Sequence, residues 1–345
     1  MKYECIKDFE PTGSKVGDTI DIVKTNEGYV IDDVATLTSE TTYEFFKKFK
    51  IPGFKYAPYS FSKIDKFASC PMAYNYNYII RPPREQKQMP HLEAGSLMHR
   101  VLEFDCVGNL ANFEPEDDLT SLTAEGAEKA INKVLKFIDE SAIYEWIKSL
   151  KGTFVPEQEM FLGPDMKPVD TLEESLIRGF IDLIIWDEKT SSCYIFDWKS
   201  GGKSKQALQK FPKPKDQLEM YAIWAYETYG AEHIECAFVY VEHEHMAKYA
   251  YSAADIPVLK KKFLSKIEAI EKEQKFSETY TILCLYCDFK ELCLGIPQDT
   301  DPKSMTKDDV FEAARKKKGT TKTKKSNSKN DSFLSKIRAK NKQIL

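Results

Sequence analysis

Two nearly unbroken hydrophobic runs constrain this 345-residue chain most: SLIRGFIDLIIWDE and SCYIFDWKS, each interrupted by a central aspartate. Runs of this length and β-branched content predict strands buried on both faces. The intervening WDEKTSS supplies a turn, so the pair predicts a hairpin that brings Asp182 and Asp197 together, fifteen residues apart in sequence. Residues two apart on a strand share a face, so Asp197 and Lys199 point together while Phe196 and Trp198 face the other way. Charges on an otherwise buried strand are costly unless paired or bound to metal. Alone, Asp-Trp-Lys reads as an ion pair at a strand end. With a second carboxylate beside it, it reads as a Mg²⁺ or Mn²⁺ site. Such an ion activates water and neutralises phosphoryl charge. A lysine beside it can orient or deprotonate that water, or stabilise the pentavalent phosphate.

The residues that follow, GGKS, imitate the end of a phosphate-binding loop. That loop needs a glycine five residues before Gly202, and position 197 is Asp, whose carboxylate would repel phosphates. The nucleotide-hydrolysing reading therefore fails. SGGKSKQALQKFPKPK instead reads as a flexible basic loop, with Lys203, Lys205, Lys210, Lys213 and Lys215 available to a nucleic-acid backbone.

Helical patterns surround the hairpin. One runs from about Ser60 to Tyr78. Others cover HLEAGSLMHRVLEFD, the segment from Leu122 to Leu150, KDQLEMYAIWAYETYG and IPVLKKKFLSKIEAIEKEQ. TFVPEQEMFLG predicts a further strand, and IECAFVYVEHE with MAKYAYSA a second hairpin. Strands mixed with helices predict an α/β core with a mixed sheet. Residues 1–52 read as a small β-rich module, closed by a helix on which Tyr43, Phe46 and Phe49 share a face. Residues 56–298 read as the main domain that contains the hairpin. Residues 301–345 read as a low-complexity basic tail.

Five ordered pieces carry a family likeness. YSFSKIDKFASCPMAY is an aromatic helix ending in Cys-Pro, and GSLMHRVLE contains His99. Gly-Phe-Ile-Asp ends at Asp182, Ile-Phe-Asp-Trp-Lys-Ser-Gly holds Asp197 and Lys199, and Gln217 and Tyr221 stand four apart in DQLEMY. Over about residues 56–296 the chain resembles the PD-(D/E)XK nuclease superfamily, in particular its RecB-like branch. The resemblance implies a restriction-endonuclease-like core, a central mixed sheet flanked by helices. It implies His99, Asp182 and Asp197 as ligands of Mg²⁺ or Mn²⁺, with the Trp198 carbonyl as a further ligand. Lys199 would be the catalytic lysine, with Gln217 and Tyr221 positioning it or the DNA backbone. Glu159 and Glu103 are further acidic candidates, each read first as an exposed or supporting carboxylate.

CLYCDFKELC places Cys284, Cys287 and Cys293 in ten residues, and Cys70 of the Cys-Pro element is the candidate fourth ligand, 214 residues before Cys284. One early and three late cysteines resemble the iron–sulfur nucleases: the AddB subunit, the CRISPR-adaptation nucleases and the eukaryotic flap-processing helicase–nuclease. The resemblance implies a 4Fe–4S cluster, for which four thiolates are the expected set. Zinc is the alternative for the same ligands.

Composition sets the outer bounds. A 42% hydrophobic chain can bury a core, and no apolar run approaches the roughly 18 residues of a membrane span. No apolar signal segment opens the sequence, so a cytoplasmic protein of a bacterium or phage-infected host is expected; the lysine- and asparagine-rich composition suits a phage or prophage. The net charge of −4 hides an asymmetry: residues 315–345 hold 12 Lys/Arg and one Asp, leaving 38 basic and 53 acidic residues elsewhere. Such a tail touches nucleic acid or an acidic partner, or simply solubilises the chain. The expected function is a metal-dependent DNA nuclease, an exonuclease or end-processing enzyme on single strands or duplex ends. A helicase, recombinase or replication protein would be its partner, reached through the N-terminal module or the tail. The alternative is a non-catalytic nucleic-acid-binding or scaffold protein that keeps the fold.

Overall fold

The computed structural model describes residues 2–5, 14–25, 28–31, 35–37, 49–50, 58–83, 89–115, 120–201 and 214–323. They fall into two compact units, one of residues 1–55, 62–85 and 272–345, the other of residues 56–61 and 86–271.

The first unit opens with strands β1 (Lys2–Cys5), β2 (Thr19–Thr25), β3 (Gly28–Ile31), β4 (Ala35–Leu37) and β5 (Phe49–Lys50). They form an antiparallel sheet in the order β4-β3-β2-β1-β5. The predicted helix over Phe49 is corrected here: Phe49 pairs with Cys5, and Lys50 with Glu4, as a strand. A distant strand partner overrides the local helical spacing; Tyr43 and Phe46 lie outside the described residues. Helices α1 (Phe61–Ser69) and α2 (Pro71–Tyr74) follow, the latter running into a π-helical turn at Asn75–Ile80. The single helix expected here breaks at Cys70, which is extended at φ −162° because Pro71 disfavours helical backbone in the residue before it.

The second unit contains α3 (Pro90–Cys106), α4 (Ala124–Glu140) and α5 (Ala142–Ser149), then β6 (Thr153–Leu162), β7 (Ile177–Asp187) and β8 (Ser192–Lys199). Helix α6 (Asp216–Tyr229), β9 (His233–Tyr240), β10 (His245–Ser252) and α7 (Ile256–Lys272) complete it. Its sheet has the order β10-β9-β8-β7-β6, antiparallel except for the parallel β8–β9 pair that α6 connects. Leu183, Ile185, Phe196, Trp198, Ala237 and Val239 face α3, α4 and α5 across an apolar core. Helix α6 packs against β8 and β9. The mixed, helix-flanked sheet expected from the sequence is therefore present. Burial on both faces explains the continuous hydrophobic run of β7, whose residues Ile181 to Ile185 are all buried, Asp182 included.

The chain ends, within the described residues, with α8 (Lys290–Leu294) and α9 (Lys307–Thr323) in the first unit. The segment read as a low-complexity tail from Asp301 thus begins with a helix, because Val310 and Ala314 form a seam buried against Leu285, Leu294 and Ile296. Residues 324–345 lie outside the description.

Candidate active site

The β7–β8 hairpin forms as predicted, with Leu183 opposite Phe196 and the ladder running down to Asp187 opposite Ser192. One step further along this register stand Asp182 and Asp197. Here the ladder gives way to a side-chain bond: the Trp198 N–H donates to Asp182 Oδ2 at 2.6 Å. The sheet thereby fixes one carboxylate oxygen of Asp182 and leaves the other turned toward α3. His99 Nδ1 lies 3.3 Å from that Oδ1.

Glu157 enters the same cluster. It stands opposite Asp182 in the β6–β7 register, between the recorded pairs Pro156–Leu183 and Gln158–Ile181. Its backbone is left-handed, at φ 48°, an uncommon and strained conformation for a residue with a β-carbon. Glu157 Oε1 is buried without a hydrogen-bond partner, 3.8 Å from His99 Nδ1. One ligand atom each of His99, Glu157 and Asp182 lies within 4.8 Å of the others. An orphaned buried carboxylate oxygen beside two further donors, in a mixed nitrogen–oxygen set, fits a divalent cation.

Electrostatics agree. Burial, and then the charge of Asp197, push the Asp182 carboxyl upward, against the pull of His99 and Lys199. Burial opposes charging His99, yet hydrogen bonds and charge from Asp182 and Glu157 outweigh it and raise its pKa to about 10. In the absence of metal, the His99 proton supplies part of the positive charge the carboxylates need. Asp197 is 1% exposed, and its Oδ2 pairs with the Lys199 ammonium, which also lies 5.3 Å from the Phe238 ring centre. The aspartate and lysine thus point together, as the strand alternation requires.

Helix α3 delivers His99 through close contact. A β-carbon at Gly95, one turn before His99, would stand 3.2 Å from Ser200 Oγ, directly after β8. At Gly179, a β-carbon would meet Met160 Cε at 3.0 Å. Both motif glycines serve close packing around the site.

Gln217 and Tyr221 do meet on α6: Gln217 Nε2 donates to Tyr221 Oη at 2.7 Å. Tyr221 in turn donates to the Phe180 carbonyl at 2.6 Å. Burial, followed by the charges of Asp197 and Asp182, raises the Tyr221 pKa and keeps it a neutral donor. The pair therefore anchors β7 two residues before Asp182. Of the other acidic candidates, Glu159 is held by Arg178 Nε at 2.6 Å, and Glu103 has its pKa raised by burial and by the charge of Glu157.

Lys203, Lys205, Lys210 and Lys213 lie outside the described residues. Lys215 pairs with Glu219 at 3.4 Å. The sequence reading passed over Lys129, Lys133 and Lys136, which line a cavity of about 690 Å³ that also borders Ser200 and Gly201; Lys133 pairs with Glu242 at 2.8 Å and Lys136 with Glu140 at 3.7 Å. They recur at helical spacing on α4, a pattern indistinguishable in sequence from a solvated face.

In the first unit Cys70 and Cys284 share Thr279 as a partner, but no three of the four motif cysteines bring their sulfurs within 4.8 Å of one another. The Thr279 N–H donates to Cys70 Sγ at 3.5 Å, and Cys284 Sγ donates to the Thr279 carbonyl at 3.5 Å. Burial raises the Cys287 and Cys293 thiols, and each is raised further by the charge of Cys70. Aromatic contacts reinforce the closure: Tyr74 stacks on Phe276 at 6.3 Å, and Tyr76 lies 5.2 Å from Phe289.

No curated protein matches this chain. Among solved structures, a candidate exonuclease from Eubacterium rectale aligns with a TM-score of 0.40 and 16% identity, over 70% of this chain and 87% of the other. SSO0001 aligns with a TM-score of 0.26 and 17% identity, over 67% of this chain and 92% of its own. Neither likeness is close enough to assign an activity. The family model for the PD-(D/E)XK nuclease superfamily, however, matches residues 58–294, a span that contains both aspartates, Lys199, His99, the Gln217–Tyr221 pair and all four clustered cysteines. With two-thirds of its length matched and the acidic hairpin in place, this chain belongs to the PD-(D/E)XK nuclease superfamily.

Proposed function

We propose that this protein is a divalent-metal-dependent deoxyribonuclease of the RecB-like branch, an exonuclease or end-processing enzyme in DNA recombination, repair or replication. The observation that carries the reading is the convergence of His99, Glu157 and Asp182 beside the Asp197–Lys199 pair. His99, Asp182 and Asp197 would hold Mg²⁺ or Mn²⁺, with Glu157 and the Trp198 carbonyl as further donors. Bound there, the ion would supply an activated water and neutralise phosphoryl charge. Lys199, held at the Asp197 carboxylate, orients the attacking water and stabilises the developing charge on phosphate. The Trp198 N–H fixes Asp182, and Tyr221 fixes the backbone that carries it. The lysines of α4 and the loop from Ser200 to Lys215 would meet the DNA phosphates.

The four cysteines would hold a 4Fe–4S cluster, with zinc as the competing occupant. What supports this reading is that Cys70 and Cys284, far apart in sequence, both bond to Thr279, and the closure such a metal would bring is structural. The N-terminal sheet or the basic tail would dock a helicase, recombinase or replication protein. No helix among the described residues is long and apolar enough to cross a membrane.

The test is cleavage of linear single- and double-stranded DNA with Mg²⁺ or Mn²⁺, beside Asp197→Ala. The expected loss in the variant is about 10³-fold or more, on the scale of removing a group that stabilises transition-state charge. Equal activity of both proteins, or none in either, would leave the non-catalytic alternative standing.

A further inference from the structure

A rigid aromatic platform lies beside the acidic cluster and takes no part in the chemistry described so far. Phe180 precedes Asp182 by two residues on β7, so the two share a face, about 7 Å apart along the strand. Its side chain is 47% exposed on a strand whose next five residues are all buried. A single exposed apolar residue is ordinarily unremarked. Three features set this one apart.

Its backbone is clamped, because the Tyr221 hydroxyl donates to the Phe180 carbonyl at 2.6 Å. Its ring is braced, because the Arg178 guanidinium lies 4.9 Å from the ring centre and is itself fixed by Glu159 at 2.6 Å. Its neighbours along the strand, Arg178 and Asp182, and the residue directly across, Glu159, are charged, and the one apolar neighbour on that face, Phe161, stands diagonally beside Arg178 and leaves the ring half exposed. Holding a phenyl ring half in water, beside a phosphodiester-cleaving cluster, costs burial energy that a residue with only a packing role would have recovered.

We infer that Phe180 is a substrate-positioning platform on which an unpaired nucleobase next to the scissile phosphate stacks. The ring's distance from Asp182 suits the base of an adjoining nucleotide, and the guanidinium beside it adds positive charge where the backbone must pass. A base can stack there only after leaving its own duplex stack, so the favoured substrate is a single strand or a frayed end. This deepens the nuclease reading and rests on it.

The test uses the full chain, with single-stranded oligonucleotides carrying 2-aminopurine at successive positions from each end, in Ca²⁺ to hold the complex. Wild type should quench the fluorophore strongly at one position. Phe180→Ala should lose that quenching and raise KM for single-stranded DNA about 5- to 100-fold, the usual scale for losing one base–aromatic stack, with a smaller change in kcat. Phe180→Trp should restore both, which a merely structural role would not predict. Quenching by Phe180→Ala equal to wild type, at every position, overturns the platform. That outcome is separate from failure of the nuclease reading, which is scored by cleavage in Mg²⁺ or Mn²⁺ and does not depend on the fluorescence.

Discussion

The acidic cluster and the motif cysteines of this chain are placed on opposite plans. Asp182, Asp197 and Glu157 stand on three adjacent strands of one sheet, so backbone hydrogen bonds hold them together whether or not a cation is present. Cys70 and Cys284 to Cys293 stand on segments that share no strand ladder and are joined through contacts to Thr279 and a few aromatic rings. In the first centre the fold brings like charges together and a cation relieves the repulsion. In the second, a metal would itself supply the link between distant parts of the chain. The acidic cluster crowds carboxylates whose charge His99 and Lys199 offset only in part, whereas the cysteine segments would draw their closure from a metal.

That contrast can be broken by substitution. If the cysteines hold a metal, Cys293→Ser should lower the melting temperature by at least about 5 °C, the shift expected from a few kcal/mol in a domain of this size, and on the 4Fe–4S reading it should also bleach a brown absorbance near 400 nm. Asp182→Asn should leave the melting temperature unchanged or raised, because it removes a buried charge crowded by Asp197, while abolishing cleavage. Thermal melts paired with single-turnover cleavage decide it. A destabilised Asp182→Asn together with an unaffected Cys293→Ser would invert the comparison.

Glu157→Gln should act more mildly. The side chain keeps its shape and one oxygen, so the Mg²⁺ concentration for half-maximal cleavage should rise about 10- to 100-fold with kcat at saturating metal largely kept. A metal titration reads this directly. If neither parameter moves, Glu157 is a bystander and its left-handed backbone is without a functional cause.

pH sharpens the same point. The folded His99 pKa, near 10, lies above its unfolded value, so in metal-free protein its contribution to stability is fully present below about pH 6.5 and disappears as pH rises toward 10. A cation must displace that proton, so metal affinity should increase with pH across this window, by at most about tenfold per unit. Calorimetric titration of Mn²⁺ at several pH values, with proton release followed in parallel, checks the sign. His99→Gln should flatten the dependence.

The smallest expected effect is that of Gly95→Ala. Its β-carbon would stand 3.2 Å from Ser200 Oγ, a side-chain atom that can rotate away, so a few-fold loss of kcat at little cost in stability is expected. A loss as deep as that of Asp182→Asn would mean that Ser200 holds the catalytic strand in place.

The acidic hairpin was legible because strand alternation and turn chemistry are local: the turn sets Asp182 opposite Asp197, and a spacing of two sets Lys199 on the face of Asp197. His99 and the Gln217–Tyr221 pair were found through ordered motifs, although the partner of Tyr221, the Phe180 carbonyl, follows from no spacing rule. Glu157 was passed over for Glu159 two residues on, because nothing local separates two carboxylates of one strand; the register that sets Glu157 opposite Asp182 and its left-handed backbone are seen only in the fold. Phe49 was misread because its strand partner, Cys5, lies 44 residues away. The lysines of α4 look like any solvated helix face until Ser200 and Gly201 are set beside them. Which distant groups share a volume is set in three dimensions: burial and charge act through space, and a linear pattern records them only where the backbone repeats regularly.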